Sequence, residues 1–270
     1  MTKSRNTESQ WGLALSGGGA RGLVQVGVLQ AIEECGLKPS CISGTSIGAV
    51  VGSLYAAGMK PMDMLALLSG KGFLNLFRLK PSLSGLLGMK YLEEVLDKNL
   101  PETFAELPIP LHVFATNLSR GECVDFHSGE LRQPILASAS IPILFEPVTI
   151  NGEKYVDGGV MNNLPAEACL SSCSYVLGVE VNKGKFTQNL KTMKNVALEV
   201  FHLVVNRSSE EGMKVCDYVL RPEMEASFDL LDFSKAKNLF DLGYEEGLVW
   251  AKSFKSDQDK RSIETEISKS

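Results

Sequence analysis

The sequence is poor in the residues that most often announce a function. It has three histidines among 270 residues, two tryptophans and only 7% aromatics. Its six cysteines (Cys35, Cys41, Cys123, Cys169, Cys173 and Cys216) form no CxxC pair and stand at no zinc-site spacing from a histidine. No zinc module is expected, and the cysteines read as buried small hydrophobes of a reduced, intracellular protein. No run approaches the ~18 uninterrupted apolar residues of a membrane-spanning helix, and the polar first ten residues hold no signal-peptide core. Lys and Arg never cluster; 27 of them against 32 acidic residues leave a net charge of −5. Nucleic acid is therefore not expected as a partner. A hydrophobic fraction of 44% with 22% charge is ordinary for a globular chain, which excludes disorder, collagen and coiled coil. The expected protein is soluble and cytoplasmic, meeting a membrane at most peripherally.

What is present is alternation. Residues 1–10 and 253–270 read as polar tails around one domain, 11–252. Inside it, apolar strands at Trp11–Leu15 and Ser40–Ser43 each run into a glycine turn and then a helix. The first helix carries Val24, Val28, Ala31, Ile32 and Cys35 on one face and stops at Gly36; the second runs from Ala49 to Ala57. Further strands are expected at Leu111–Ala115, Val148–Ile150, Glu153–Val156 and Tyr175–Val181, with a long helix from Lys191 to Asn206. This order predicts a layered α/β fold. Met59–Leu92 stands apart, rich in Met, Leu and Phe mixed with glycine and lysine. It reads either as a helical subdomain burying its own core or as an adaptable flap over an apolar site that could touch a bilayer.

Three short blocks carry chemistry. In Gly44-Thr45-Ser46-Ile47-Gly48, glycines flank a serine between an apolar strand and an apolar helix. Such an elbow lets Ser46 project at a helix N-terminus, where the peptide dipoles favour developing negative charge. In Gly17-Gly18-Gly19-Ala20-Arg21-Gly22, bare amides line a loop at a helix start, suited to a phosphate or an oxyanion. Arg21 and Gly22 could brace that loop or meet an anionic group. The same stretch matches G-x-G-x-x-G, yet the serine elbow occupies the place where a dinucleotide fold needs its ribose carboxylate. No GK[ST] follows, which excludes a Walker A loop. The third block, Asp157-Gly158-Gly159, brings an aspartate from a strand into a glycine turn; such an aspartate is commonly a structural cap. A nucleophilic serine needs a base, however, and the histidines are poorly placed. His112 lies in an apolar strand, His127 in a polar turn, and His202 in mid-helix. A carboxylate acting directly on the serine is then the economical arrangement.

Together these blocks resemble the patatin-like phospholipase family, in particular its bacterial members and the catalytic domain of neuropathy target esterase. Lesser similarities lie in Ala115-Thr116-Asn117, Ala137–Pro142, Val160–Pro165 and Leu231-Asp232-Phe233. The resemblance implies a three-layer α/β/α fold around a central mixed, mostly parallel sheet. It implies a Ser46–Asp157 dyad, an oxyanion hole at Gly17, Gly18 and Gly19, elbow glycines Gly44 and Gly48, and a supporting turn at Gly158 and Gly159. The implied reaction is hydrolysis of a lipid acyl ester, without metal or cofactor, through an acyl-serine. Asn117 departs from the aspartate many relatives carry. Acyl transfer by the same serine, or lipid binding without turnover, would use the same residues.

Overall fold

The computed structural model describes residues 10–70, 73, 81–183, 190–224 and 233–267. Eight strands form one sheet: β1 (Trp11–Leu15), β2 (Cys41–Thr45), β3 (Leu111–Asn117), β4 (Glu122–Phe126), β5 (Val148–Ile150), β6 (Glu153–Asp157), β7 (Tyr175–Val179) and β8 (Tyr218–Leu220). They hydrogen-bond in the order β5-β6-β3-β2-β1-β7-β8, with β4 also on β3. The pairings from β3 through β2, β1 and β7 to β8 are parallel, whereas those among β3, β4, β5 and β6 are antiparallel. Strand β1 is buried throughout, as the near-continuous apolar run of a parallel strand covered on both faces requires.

Strand alternation sends side chains to two cores. Leu13, Leu15 and Ile42 join Val24, Val28 and Val50 from helices α1 (Gly22–Glu34) and α2 (Ile47–Ala56). On the opposite face, Ala14, Cys41 and Val176 meet Leu164, Ala166 and Cys169. The remaining helices are α3 (Pro61–Leu68), α4 (Pro81–Asn99), α5 (Arg132–Ser138), α6 (Met193–Val215) and α7 (Ala236–Ile267). Helices on both faces of a mixed sheet make the expected α/β/α architecture. Helices α1 and α7 touch backbone to backbone. A Cβ at Gly27 would lie 2.0 Å from the Phe240 carbonyl oxygen, and one at Gly243 would lie 1.9 Å from that of Val24.

Two helix boundaries differ most from expectation. The C-terminal tail expected from residue 253 is helical as far as Ile267. Phe254 is buried there, stacked on Trp250 with ring centroids 4.9 Å apart and set edge-on against Trp11 at 6.0 Å. Polar residues on the outer side of α7 conceal the inward pair Trp250 and Phe254 from a composition reading. Helix α6 continues nine residues beyond Asn206, to Val215. In the Met59–Leu92 segment, Met64, Leu68 and Phe73 are buried in the main core, so this part serves packing. Residues 71, 72 and 74–80 of that segment lie outside the described residues, as do 1–9 of the N-terminal tail, 268–270 and the Leu231-Asp232 pair.

Candidate active site

The sheet register brings two of the three sequence blocks together. From Val113 to Asn117, β3 pairs with β4 along one edge. Along its other edge β2 pairs as far as Phe114, and β6 takes over at Ala115. Strand β2 runs parallel to β3 and β6 antiparallel, so the two approach each other head-on. Thr45 lies opposite Phe114 and Asp157 opposite Ala115. Ser46 and Asp157 thus emerge from converging strand ends, although 111 positions separate them in sequence.

Ser46 caps α2 in a strained conformation, with φ 55° and ψ −124°, and is buried. A non-glycine residue there is held against a cost of roughly 1–2 kcal/mol, a common mark of a functional elbow. Its surroundings impose the turn. A Cβ on Gly48 would fall 2.3 Å from the Leu15 carbonyl oxygen, and one on Gly44 would fall 2.5 Å from that of Gly48. The Ser46 N–H donates to Ser138 Oγ at 2.8 Å, and that hydroxyl donates to the Phe114 carbonyl at 2.6 Å. The elbow is therefore tied to β3 at the level of Asp157.

Asp157 is 1% exposed. Its N–H donates to the Ser140 carbonyl, and its own carbonyl accepts from Thr116 Oγ1. The Gly159 N–H donates to Oδ1 at 2.7 Å, whereas Oδ2 is buried without a hydrogen bond of ordinary geometry. Burial pushes the carboxyl up to about 7, opposed by the Ser46 hydroxyl and then by the Gly159 amide. Ser46 and Asp157 line the same cleft. Gly158 lets this turn lie flat on β3; a Cβ there would meet the Phe114 carbonyl oxygen at 2.2 Å.

The glycine loop completes the cleft with one revision. Gly17 N–H is engaged by Asn163, donating to its carbonyl at 3.2 Å and to its Oδ1 at 3.1 Å. It is not available to a ligand. No other described residue accepts a hydrogen bond from the N–H of Gly18 or Gly19. Gly17 instead permits close approach, since a Cβ there would stand 3.0 Å from Ser46 Cβ. Arg21 closes the turn through its backbone N–H to the Gly18 carbonyl at 3.2 Å, and its side chain lies outside the cleft lining. Gly22 makes room for Ile47, directly after Ser46.

Two residues escaped sequence reasoning. Asn163 is buried and donates through Nδ2 to Ser209 Oγ at 2.9 Å, so it joins the glycine loop, the turn after Asp157 and α6. Asn182 donates to the Gly17 carbonyl at 2.7 Å. Asn163 lay in a stretch noted only for similarity, and Asn182 gave no signal. His202 also lines the cleft despite its mid-helix position, with Nδ1 3.7 Å from Glu199 Oε2. His112 and His127 lie elsewhere, both turned toward Asp125.

A mixed sheet between helical layers, carrying a strained serine elbow beside a glycine-rich amide loop, defines the class: an α/β protein with a serine-elbow site. The patatin-like phospholipase family profile matches residues 13–170, and the chain belongs to that family. An uncharacterized NTE family protein of Mycobacterium tuberculosis (strain ATCC 25618 / H37Rv) is 34% identical over 203 residues, which cover 73% of this chain and 56% of that protein. The lysophospholipase nte1 of Aspergillus niger is 28% identical over 280 residues, 90% of this chain and 18% of its own length. The chain thus spans little more than half of the mycobacterial relative and under a fifth of the fungal one. VipD from Legionella pneumophila has the same fold, with a TM-score of 0.54 at 17% identity over 91% of this chain and 67% of that one.

Proposed function

We propose that the chain hydrolyses acyl esters of lipids, in the manner of a phospholipase A or lysophospholipase, with Ser46 as nucleophile and Asp157 as its base. One observation carries this reading: the buried Asp157 carboxyl lines the same cleft as a serine held at φ 55° on a strand-to-helix elbow. A base whose pKa lies near neutrality accepts a proton efficiently at neutral pH, so no histidine is required.

In the first half-reaction Ser46 Oγ attacks the ester carbonyl while its proton passes to Asp157. Charge on the carbonyl oxygen is held by the Gly18 and Gly19 N–H groups, donors of the kind that typically contribute ~10²–10³ in turnover. As the tetrahedral intermediate collapses, Asp157 returns the proton to the departing alkoxide and an acyl-serine remains. Water, deprotonated by the same carboxylate, then attacks the acyl carbon. The fatty acid leaves and Ser46 is restored. Gly159 N–H fixes Asp157 Oδ1, leaving Oδ2 for the proton.

Ile141, Phe201 and Val205 form the apolar wall of the cleft beside Ser46 and Asp157. The lysophospholipase name of the fungal relative supports the substrate class.

Intact-protein mass after fluorophosphonate treatment tests the assignment. Wild type is expected to gain one adduct and to release fatty acid from lysophospholipid, and Ser46→Ala to do neither. An adduct persisting in Ser46→Ala would overturn the choice of nucleophile.

A further inference from the structure

We propose that His112, Asp125 and His127 form a binding site for a divalent transition-metal ion of the zinc type, which ties β4 to the rest of the sheet. The register of the β3–β4 pair brings the three together. Val113 lies opposite Phe126 and Phe114 opposite Asp125, so the same register continued by one position sets His112 against His127. Asp125 and His127 are two residues apart and share a face. His112 Nδ1 stands 3.1 and 2.9 Å from the two Asp125 carboxylate oxygens, and His127 Nδ1 stands 3.4 Å from Oδ2. The imidazole centroids are 5.0 Å apart. Two of the three histidines in the chain thus converge on one carboxylate.

Those separations are the ones ligands adopt around a single ion. At ~2.0–2.1 Å from a tetrahedral zinc, neighbouring nitrogen and oxygen ligands stand about 3.3–3.4 Å apart, and in an octahedron about 3 Å. The three ligating atoms lie within 4.8 Å of one another, which no other group of His, Cys, Asp and Glu among the described residues achieves. Two imidazoles with one carboxylate suit zinc, cobalt, nickel or copper, whereas calcium and magnesium call for oxygen ligands. The His112, Asp125 and His127 side chains are 21, 31 and 57% exposed, so an ion can enter from solvent and water can complete its shell. Asp125 also favours a proton on His112, pushed up to about 10 by that hydrogen bond first, and the ion has to displace it. An ion pair accounts for His112 and Asp125; a bound ion accounts for all three residues.

The ion serves the fold rather than the ester. None of its three ligands lines the cleft. Among the described strands β4 pairs with β3 alone, and all five of its residues are exposed or partly exposed. A strand held by one ladder at a sheet edge is where a cross-strand clamp adds most.

The site stands independently of the lipid-ester reading. It is tested on the full chain, stripped with EDTA and titrated calorimetrically with zinc chloride at pH 8. Wild type is expected to bind one equivalent and to gain in Tm when loaded. His127→Ala, at an exposed position, should weaken binding at least about tenfold and abolish the gain in Tm, while fluorophosphonate labelling of Ser46 stays unchanged. Asp125→Asn should weaken binding as much, and His127→Ala carries the test if Asp125→Asn fails to fold. Zinc held as tightly by both variants as by wild type would belong to thiols, such as Cys41 and Cys169 with sulfurs 3.4 Å apart, and would overturn the proposal. So would a wild type that takes up no zinc. If zinc binds as expected but Ser46 never labels, the metal site stands and the hydrolase reading falls.

Discussion

Two helices border the cleft, and their apolar residues do opposite things. Helix α2, which Ser46 caps, has all ten of its residues buried. Helix α6, on the facing wall, buries Phe201 and Val205 and presents Val200, Leu203 and Val204 to solvent. Valine and leucine supply apolar side chains in both. What separates them is what lies against each. Helix α2 is enclosed by the sheet and by α1, and Gly48 brings its first turn onto the Leu15 and Ser16 carbonyls. Helix α6 has the cleft and its small covering turns on one side and solvent on the other. The cleft therefore joins an enclosed wall that holds Ser46 to a wall whose outer side is exposed. Substitutions on the enclosed wall should damage chemistry or folding, and those on the outer side of α6 should damage neither.

The largest expected effect falls on Asp157, which the enclosed side holds through Ser140, Thr116 and Gly159. Asp157→Asn keeps the shape and removes the proposed base, so kcat on a soluble ester should fall about 10²–10⁴-fold. In wild type the carboxylate must be ionised to act. With its pKa near 7, kcat/KM should rise about tenfold per pH unit below that value and level off above it. A flat profile between pH 5 and 8 would remove Asp157 from the role of base. Stability should move the other way. The folded pKa lies above the ordinary 3.8, so the carboxyl's contribution is fullest below that value and is lost as pH rises through 7. Asp157→Asn should therefore gain in Tm over wild type progressively between pH 4 and 7, with the gap constant above, as calorimetry across that range would show.

Next in size is the elbow itself. In Gly48→Ala the new methyl would stand 2.3 Å from the Leu15 carbonyl oxygen and 2.7 Å from that of Ser16, both backbone atoms that cannot swing aside. A loss of about 3 kcal/mol is expected, or roughly 6–12 °C in Tm for a chain of this size. Thermal unfolding that matched wild type would show the elbow to be looser than its contacts indicate.

Much of this wall was legible in the sequence because glycine and serine chemistry is local. The strands β1 and β5 fell where Trp11–Leu15 and Val148–Ile150 placed them, and Ser46 fell on the expected strand-to-helix turn. The pairing of converging strand ends was not legible, since it depends on which edge of β3 each strand occupies. For the same reason Gly17 was misread as a donor. Its amide is claimed by Asn163, 146 positions away, and nothing in a run of three glycines says which N–H will be engaged. The outward stripe of α6 was hidden by a subtler fact: Val200 and Phe201 are equally apolar as letters, and only the packing on each side decides which one is covered.

That last contrast can be measured with a single chemical change made twice. Val50 on α2 is 1% exposed and Val200 on α6 is 53% exposed. Valine to serine in the enclosed helix leaves a small cavity and brings a hydroxyl into the core, so Val50→Ser should cost at least about 2 kcal/mol. The helix can satisfy part of that hydroxyl through a carbonyl one turn back, which sets this figure as a lower bound rather than the full desolvation penalty. In Val200→Ser the side chain is already half in water and the propensities of valine and serine in helices are close. Its change should fall within about 0.5 kcal/mol of zero in urea unfolding. Equal costs at the two positions would mean that Val200 is covered in solution. The outer side of α6 would then be a contact within or between chains, and the two walls of the cleft would be alike.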